Sequence, residues 1–206
     1  MRLIYYLIGD DEVKEEQKLT QNLPQNHLDK ASEYQFISDK LRFLAGRNLL
    51  IEALDKMGKS LDSVYYDEKG KPHVEGISFS ISHSERLVVL VLSDIADVGV
   101  DVEFIREIDV NELSAEFNEA DQRRLKAAND VLDEFFQIWT AKESVMKADG
   151  RGFYLSPKKI QIDEEVAIVE DKNQKWFLQY INLATGYKTC VCSTIEPKVK
   201  VEQLRL

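Results

Sequence analysis

The hydrophobic and polar positions alternate in a way that separates strands from helices along the chain. Residues 2–8, RLIYYLI, are apolar for one strand's length before GDDE turns acidic. Between Leu28 and Met57, the residues Phe36, Leu41, Leu44, Leu49, Leu50 and Leu54 recur at helical spacing. This spacing predicts one long helical region with a stop at Gly58. A short strand is expected at Ser63–Tyr66, followed by the turn DEKGKP at 67–72. Next, Ile77, Phe79 and Ile81 alternate with Ser78, Ser80 and Ser82, HSER turns the chain, and LVVLVLS returns as a hairpin. In VGVDVEF, Val98, Val100 and Val102 alternate with Gly99, Asp101 and Glu103. That alternation predicts a half-buried strand with its valines inward and its acids outward. Residues 111–148 read as helical with a break near Asn129–Asp130, and Gly150 and Gly152 close them. Strands return at about 160–170, 175–182 and 186–194.

Strands and helices fall in blocks rather than in strict alternation, so the pattern predicts an α+β fold and not a doubly wound sheet. The later segment WFLQYIN-LATG-YKTCVCST has the same order as ISFSIS-HSER-LVVLVLS, which suggests two similar halves. No linker rich in Pro, Gly or Ser divides the 206 residues. The expected organisation is one compact unit with an N-terminal half at 1–98 and a C-terminal half at 99–206.

Composition narrows the function. The formal net charge is −10, against the basic face of a nucleic-acid binder. It leaves room for a polyanionic small ligand where a few cations converge. No apolar run approaches the ~20 residues of a membrane helix. The N-terminus lacks the basic start and cleavage site of a signal peptide, so a cytoplasmic location is expected. Cys190 and Cys192, two apart on a strand, share a face and have no metal-ligand partners in the sequence, and read as reduced thiols.

Four groups of residues could carry chemistry. Asp101 and Glu103 would have α-carbons ~6.8 Å apart on one strand face. Two carboxylates ~5 Å apart at an effective dielectric of ~20 repel by ~3 kcal/mol. Water relieves that repulsion on a solvated face; a divalent cation relieves it at a site, and hard oxygen ligands suit magnesium. In QIWTAKESVMKADGRG, Trp139, Glu143, Lys147 and Gly150 lie along one helix face. Glu143 and Lys147 have the spacing of an exposed helical ion pair, and equally of a metal ligand beside a phosphate contact. Ser82 and His83 stand near a hairpin tip, as turn residues or as hydrogen-bond donors to a phosphate. Arg42, Arg47 and Lys71 are separate cations, and Arg suits bidentate phosphate recognition. There is no Walker A loop, no G-x-G-x-x-G and no G-x-S-x-G.

The order of these segments is more specific than any of them. GKPH (70–73), FSISHS (79–84), VGVDVE (98–103), WTAKESVMKADGRG (139–152) and GYKTCVCS (186–193) together resemble the 4′-phosphopantetheinyl transferases of the Sfp type. The most specific element is W-x-x-K-E-S-x-x-K, with the D-x-E strand before it. The resemblance implies two similar α+β halves in a pseudo-twofold arrangement, with the active site in the cleft between them. It implies transfer of phosphopantetheine from coenzyme A to a serine of an apo acyl or peptidyl carrier protein, releasing adenosine 3′,5′-bisphosphate. Asp101, Glu103 and Glu143 then correspond to magnesium ligands, with Glu143 also the base, and Lys147 to the lysine facing the pyrophosphate. Ser82 and His83 match phosphate contacts, Lys71 and Pro72 the turn bordering the adenine, and Arg42 an arginine that meets the 3′-phosphate. FNEAD (117–121) resembles the family's F-x-x-x-E but carries Asp121 in place of Glu, and Asp121 is left outside the expected site. A carrier is expected to dock through an apolar patch with a few cations near Arg123, Arg124 and Lys126, without nucleic acid or membrane, on a monomer. Two other readings compete: a different metal-dependent phosphotransferase, such as a nucleotidyltransferase, and a non-catalytic binder of coenzyme A or carrier protein. The first leaves W-T-A-K-E-S-V-M-K unexplained; the second leaves the intact acids and Lys147 without a role.

Overall fold

A computed structural model describes residues 1–67 and 72–206. In chain order, β1 (Arg2–Leu7) is followed by α1 (Glu12–Thr20), α2 (Gln25–Ser32) and α3 (Ile37–Asp55). Then come β2 (Tyr65–Tyr66), β3 (Pro72–His73), β4 (Ser78–Ser84), β5 (Leu87–Ser93) and β6 (Val98–Phe104). The helices α4 (Val110–Leu113), α5 (Glu119–Ala127) and α6 (Val131–Asp149) precede β7 (Ile160–Asp163), β8 (Val166–Val169), β9 (Gln174–Tyr180), β10 (Tyr187–Ser193) and β11 (Lys200–Gln203). The fold is α+β, as the block order predicts.

The chain separates into two compact units, Met1–Asp94 with Val199–Leu206, and Ile95–Lys198. In the first unit a sheet of order β11-β1-β5-β4 backs onto α3. Ile4, Tyr6, Val88, Leu90 and Leu92 meet Leu41, Leu44, Leu49 and Leu50 in its core. In the second unit a sheet of order β6-β10-β9-β8-β7 carries α6. Phe135, Ile138, Ala141, Val145, Trp176, Leu178, Cys190 and Cys192 fill that core. Both cysteines are free and buried, in keeping with the reduced-thiol reading.

Several elements differ from the periodic pattern. The helical region expected from Leu28 to Met57 is two helices, broken between Ser32 and Ile37 without a Pro or Gly to announce it. The helix α1 has only Glu15 and Leu19 buried, too few apolar positions to show as a period, but Asp11 caps it by accepting from the Lys14 N–H. The division also differs from the expected 1–98 and 99–206. The tail returns to the first unit as β11, parallel to β1, with Arg2 opposite Lys200. Glu202 fastens it, meeting Arg2 Nη2 at 2.9 Å and Lys56 Nζ at 3.0 Å. These cations pull the Glu202 carboxyl down to about 2. A four-residue strand of mixed charge has no periodicity to betray it, and distant cations fix its place.

Candidate active site

The second unit builds its site where α6 crosses β6. Asp130 starts α6 by accepting from the Asp133 N–H, and Gly150 ends it in the left-handed region at φ 81°, its N–H bonding to Met146 O at 3.2 Å. Within α6, Glu143 and Lys147 are one turn apart and so lie on one face. The helix approaches β6 at Gly99 closely enough that a Cβ placed there would lie 2.0 Å from the Ser144 carbonyl oxygen and 2.9 Å from Ala148 Cβ. Only glycine fits beneath this turn.

That contact fixes the orientation of the strand. Residues two apart on a strand share a face, so Asp101 and Glu103 project to the same side as Gly99, toward α6. This corrects the expectation that both acids face outward from the core. Asp101 is 3% exposed, Val98, Val100 and Val102 are buried as well, and the rule of one buried face does not apply to β6. Opposite Asp101 on β10 is Cys190, and opposite Glu103 is Lys188. Lys188 in turn reaches Asp133 of α6 at 2.7 Å.

The electrostatics follow from this crowding. Burial, then the nearby Asp101 and Glu103 charges, push the Glu143 carboxyl up to about 7, against an opposing pull from Lys147. Glu143 Oε1 is buried and has no hydrogen-bond partner among the described residues. Lys147 Nζ lies 2.6 Å from Asp101 Oδ1, and Arg106 Nη1 lies 3.6 Å from Glu103. Among the described residues, no group of three or more His, Cys, Asp or Glu side chains is placed to hold a metal ion as the side chains stand. By chemistry alone, Asp101, Glu103 and Glu143 are the hard oxygen donors that a divalent cation takes; the Asp101 and Glu103 charges are near enough to act on Glu143, and one Glu143 oxygen is buried without a hydrogen-bond partner among the described residues.

Sequence reasoning passed over the pair that anchors α6. Lys142, adjacent to Glu143, is completely buried. Its ammonium lies 2.7 Å from Asp121 Oδ2, donates to Pro157 O at 2.8 Å and Ile160 O at 2.5 Å, and stands over the Phe117 ring. Burial pulls the Lys142 ammonium down, and Asp121 opposes that pull. Asp121, set aside for being one methylene shorter than the family's Glu, is therefore structural. The available signal was the K of W-x-x-K-E together with the acid of FNEAD, two opposite charges inside motifs.

The first unit holds the other expected contacts. Arg42 of α3 donates to Glu85 O at 3.0 Å and meets Asp39, which ties the helix to the β4–β5 turn. Ser82 is buried and His83 exposed on β4, and as strand neighbours they project to opposite faces of the sheet. Since β4 is at the end of its sheet's strand order, a ligand touching both would straddle it. Pro72 pairs with Tyr66, and His73 stacks on Tyr65. Lys71 lies outside the described residues.

Comparison with known proteins shows the family. Residues 97–192, which contain β6, α6 and all but the last residue of β10, match the family model of the 4′-phosphopantetheinyl transferase superfamily. The chain is 34% identical over 171 residues to the 4′-phosphopantetheinyl transferase gsp of Aneurinibacillus migulanus, covering 78% of this chain and 71% of that one. It is 30% identical over 151 residues to HetI of Nostoc sp., covering 66% and 63%. It is 26% identical over 147 residues to Sfp of Bacillus subtilis, covering 68% and 65%. The chain belongs to the 4′-phosphopantetheinyl transferase superfamily and is an enzyme of that transferase class.

Two stability measurements check the scaffold. Gly99→Ala should cost 3 kcal/mol or more on the scale of about 1–3 kcal/mol for ordinary overpacking, because backbone rather than a flexible side chain blocks the methyl. Gly46→Ala is the control: its methyl would meet Ile81 at an ordinary 3.8 Å, and removing a helical glycine should gain about 0.5–1 kcal/mol. Asp121→Ala should cost about 3–5 kcal/mol in chemical denaturation by leaving Lys142 buried without its counter-ion, and Asp121→Glu should lose far less.

Proposed function

We propose that the protein transfers 4′-phosphopantetheine from coenzyme A to a serine hydroxyl of an apo acyl or peptidyl carrier protein, with Mg2+, releasing adenosine 3′,5′-bisphosphate. The observation that carries this reading is the gathering of Asp101, Glu103, Glu143 and Lys147 at the β6–α6 crossing, within the segment that matches the superfamily model. The names of the relatives gsp and Sfp support the group transferred.

Each residue has a physical task in that reaction. Asp101, Glu103 and Glu143 would hold the magnesium, which when bound supplies positive charge against the pyrophosphate oxygens. Glu143 is the base proposed to accept the serine proton as the hydroxyl oxygen attacks phosphorus; its carboxyl is raised to about 7 without metal, and a bound cation would lower it and keep it charged. Lys147 carries positive charge at the same place and would offset the charge left on the departing phosphate as the P–O bond breaks. Arg42, Lys71, Pro72, Ser82 and His83 are proposed as contacts to coenzyme A, with Arg suited to bidentate phosphate binding.

The carrier surface needs one adjustment. Arg124 is engaged with Glu134 at 2.7 Å, and Arg123 stands 3.7 Å from Glu119 at the exposed surface of α5. Arg123 and Lys126 are the cations we propose for carrier docking. No helix among the described residues is long and apolar enough to cross a membrane. We place the enzyme in the cytoplasm as a monomer: its cysteines are free thiols, and one chain carries all four site residues.

The test is to incubate the protein with coenzyme A, Mg2+ and a panel of apo carrier proteins and to follow carrier mass. One phosphopantetheine should be added per carrier. A chelator should abolish the addition, and Asp101→Ala or Glu143→Ala should slow it by at least about 100-fold. No addition on any carrier of a broad panel would overturn the proposal.

A further inference from the structure

The Lys147 ammonium lies where a cation bound to Asp101 would compete with it. It is 2.6 Å from Asp101 Oδ1, on the helix turn that follows Glu143. The Asp101 side chain is 5% exposed and that of Lys147 is 30% exposed, so the carboxylate is fixed while its partner has a path outward. A lysine stem has four rotatable carbons, and its compact charge can move without disturbing the helix that bears it. A magnesium ion coordinates oxygen at about 2.0–2.1 Å and repels an ammonium held on the same carboxylate.

From this the geometry points to Lys147 as a built-in stand-in for the metal: its ammonium holds Asp101 in place before an ion arrives, competes with the ion for that carboxylate, and is released when the ion binds. The inference rests on the proposed metal role of Asp101, Glu103 and Glu143. It adds a consequence for the order of events: the lysine that faces the phosphates is set free by metal loading, so metal and phosphate binding are coupled through one side chain. The Lys147 charge acts against the repulsion between the buried Asp101 and the half-buried Glu143.

The test uses Mn2+ as a paramagnetic probe on the intact protein without coenzyme A, with free Mn2+ counted by electron paramagnetic resonance. Lys147→Gln should bind Mn2+ at least ten-fold more tightly than the wild type. Arg106→Gln removes the same charge from a cation 3.6 Å from Glu103 and controls for through-space effects; it should change affinity less than three-fold. Equal or weaker binding by Lys147→Gln, with binding still lost in Asp101→Asn, would overturn the stand-in and leave the metal site standing. Absence of saturable binding in every variant would overturn the metal reading and the inference together. A second readout needs no variant: the 15Nζ signal of Lys147 in the wild type should be sharp without Mg2+ and should shift or broaden at saturation. A signal unchanged by Mg2+ would contradict the release of the lysine.

Discussion

The carbonyl oxygen of Ser144 lies 2.0 Å from the point where a side chain at position 99 would begin, and that contact sets the distance between α6 and β6. With any other residue at 99 the helix must lift. The lift would carry Glu143 and Lys147 away from Asp101 and Glu103, because all four project into the same narrow space. The close approach also explains why Asp101 is buried and Glu103 half-buried on one strand. They lie under a helix, and the unfavourable charge density there is offset by Lys147 at Asp101 and by Arg106 near Glu103.

A second constraint holds the helix along its length. Lys142 is buried with three oxygen partners, Asp121 and the carbonyls of Pro157 and Ile160. A charge buried this deeply adds little net stability, since desolvation offsets most of its attraction, but its loss of a partner is costly. Its effect is therefore one of placement: it ties α6 to α5 and to the start of β7, and so fixes the residue beside it, Glu143. One residue of the W-x-x-K-E motif thus holds the helix and the next faces the carboxylates.

Much of this was legible in the sequence, unevenly and for physical reasons. The hairpin β4–β5 and the strand β6 follow from alternation, and the stop of α6 from Gly150. The orientation of β6 did not follow, because Val98, Val100 and Val102 look like a core face and the acids like a wet one, while both faces are buried. Periodicity reports which positions are apolar, not how many layers a strand lies between. The helix α1 and the strand β11 carry few buried apolar groups and depend on a cap and on Glu202. The Asp121–Lys142 pair joins residues far apart in the chain, and nothing local announces it. The candidate site residues were picked out by the order of motifs, whereas the reason α6 comes so close to β6, the missing side chain at Gly99, is visible only in three dimensions.

Asp101, Glu103 and Glu143 act on one another at a partly buried helix–strand crossing, and Glu143 reports that crowding. The most direct measurement is the titration of the Glu143 carboxyl by 13C NMR in metal-free protein, assigned with Glu143→Gln. The account predicts a midpoint of about 7, so that the group is protonated below that pH and charged above it, and a lower midpoint in Asp101→Asn. A midpoint at the ordinary value of 4.5, unmoved by Asp101→Asn, would contradict it.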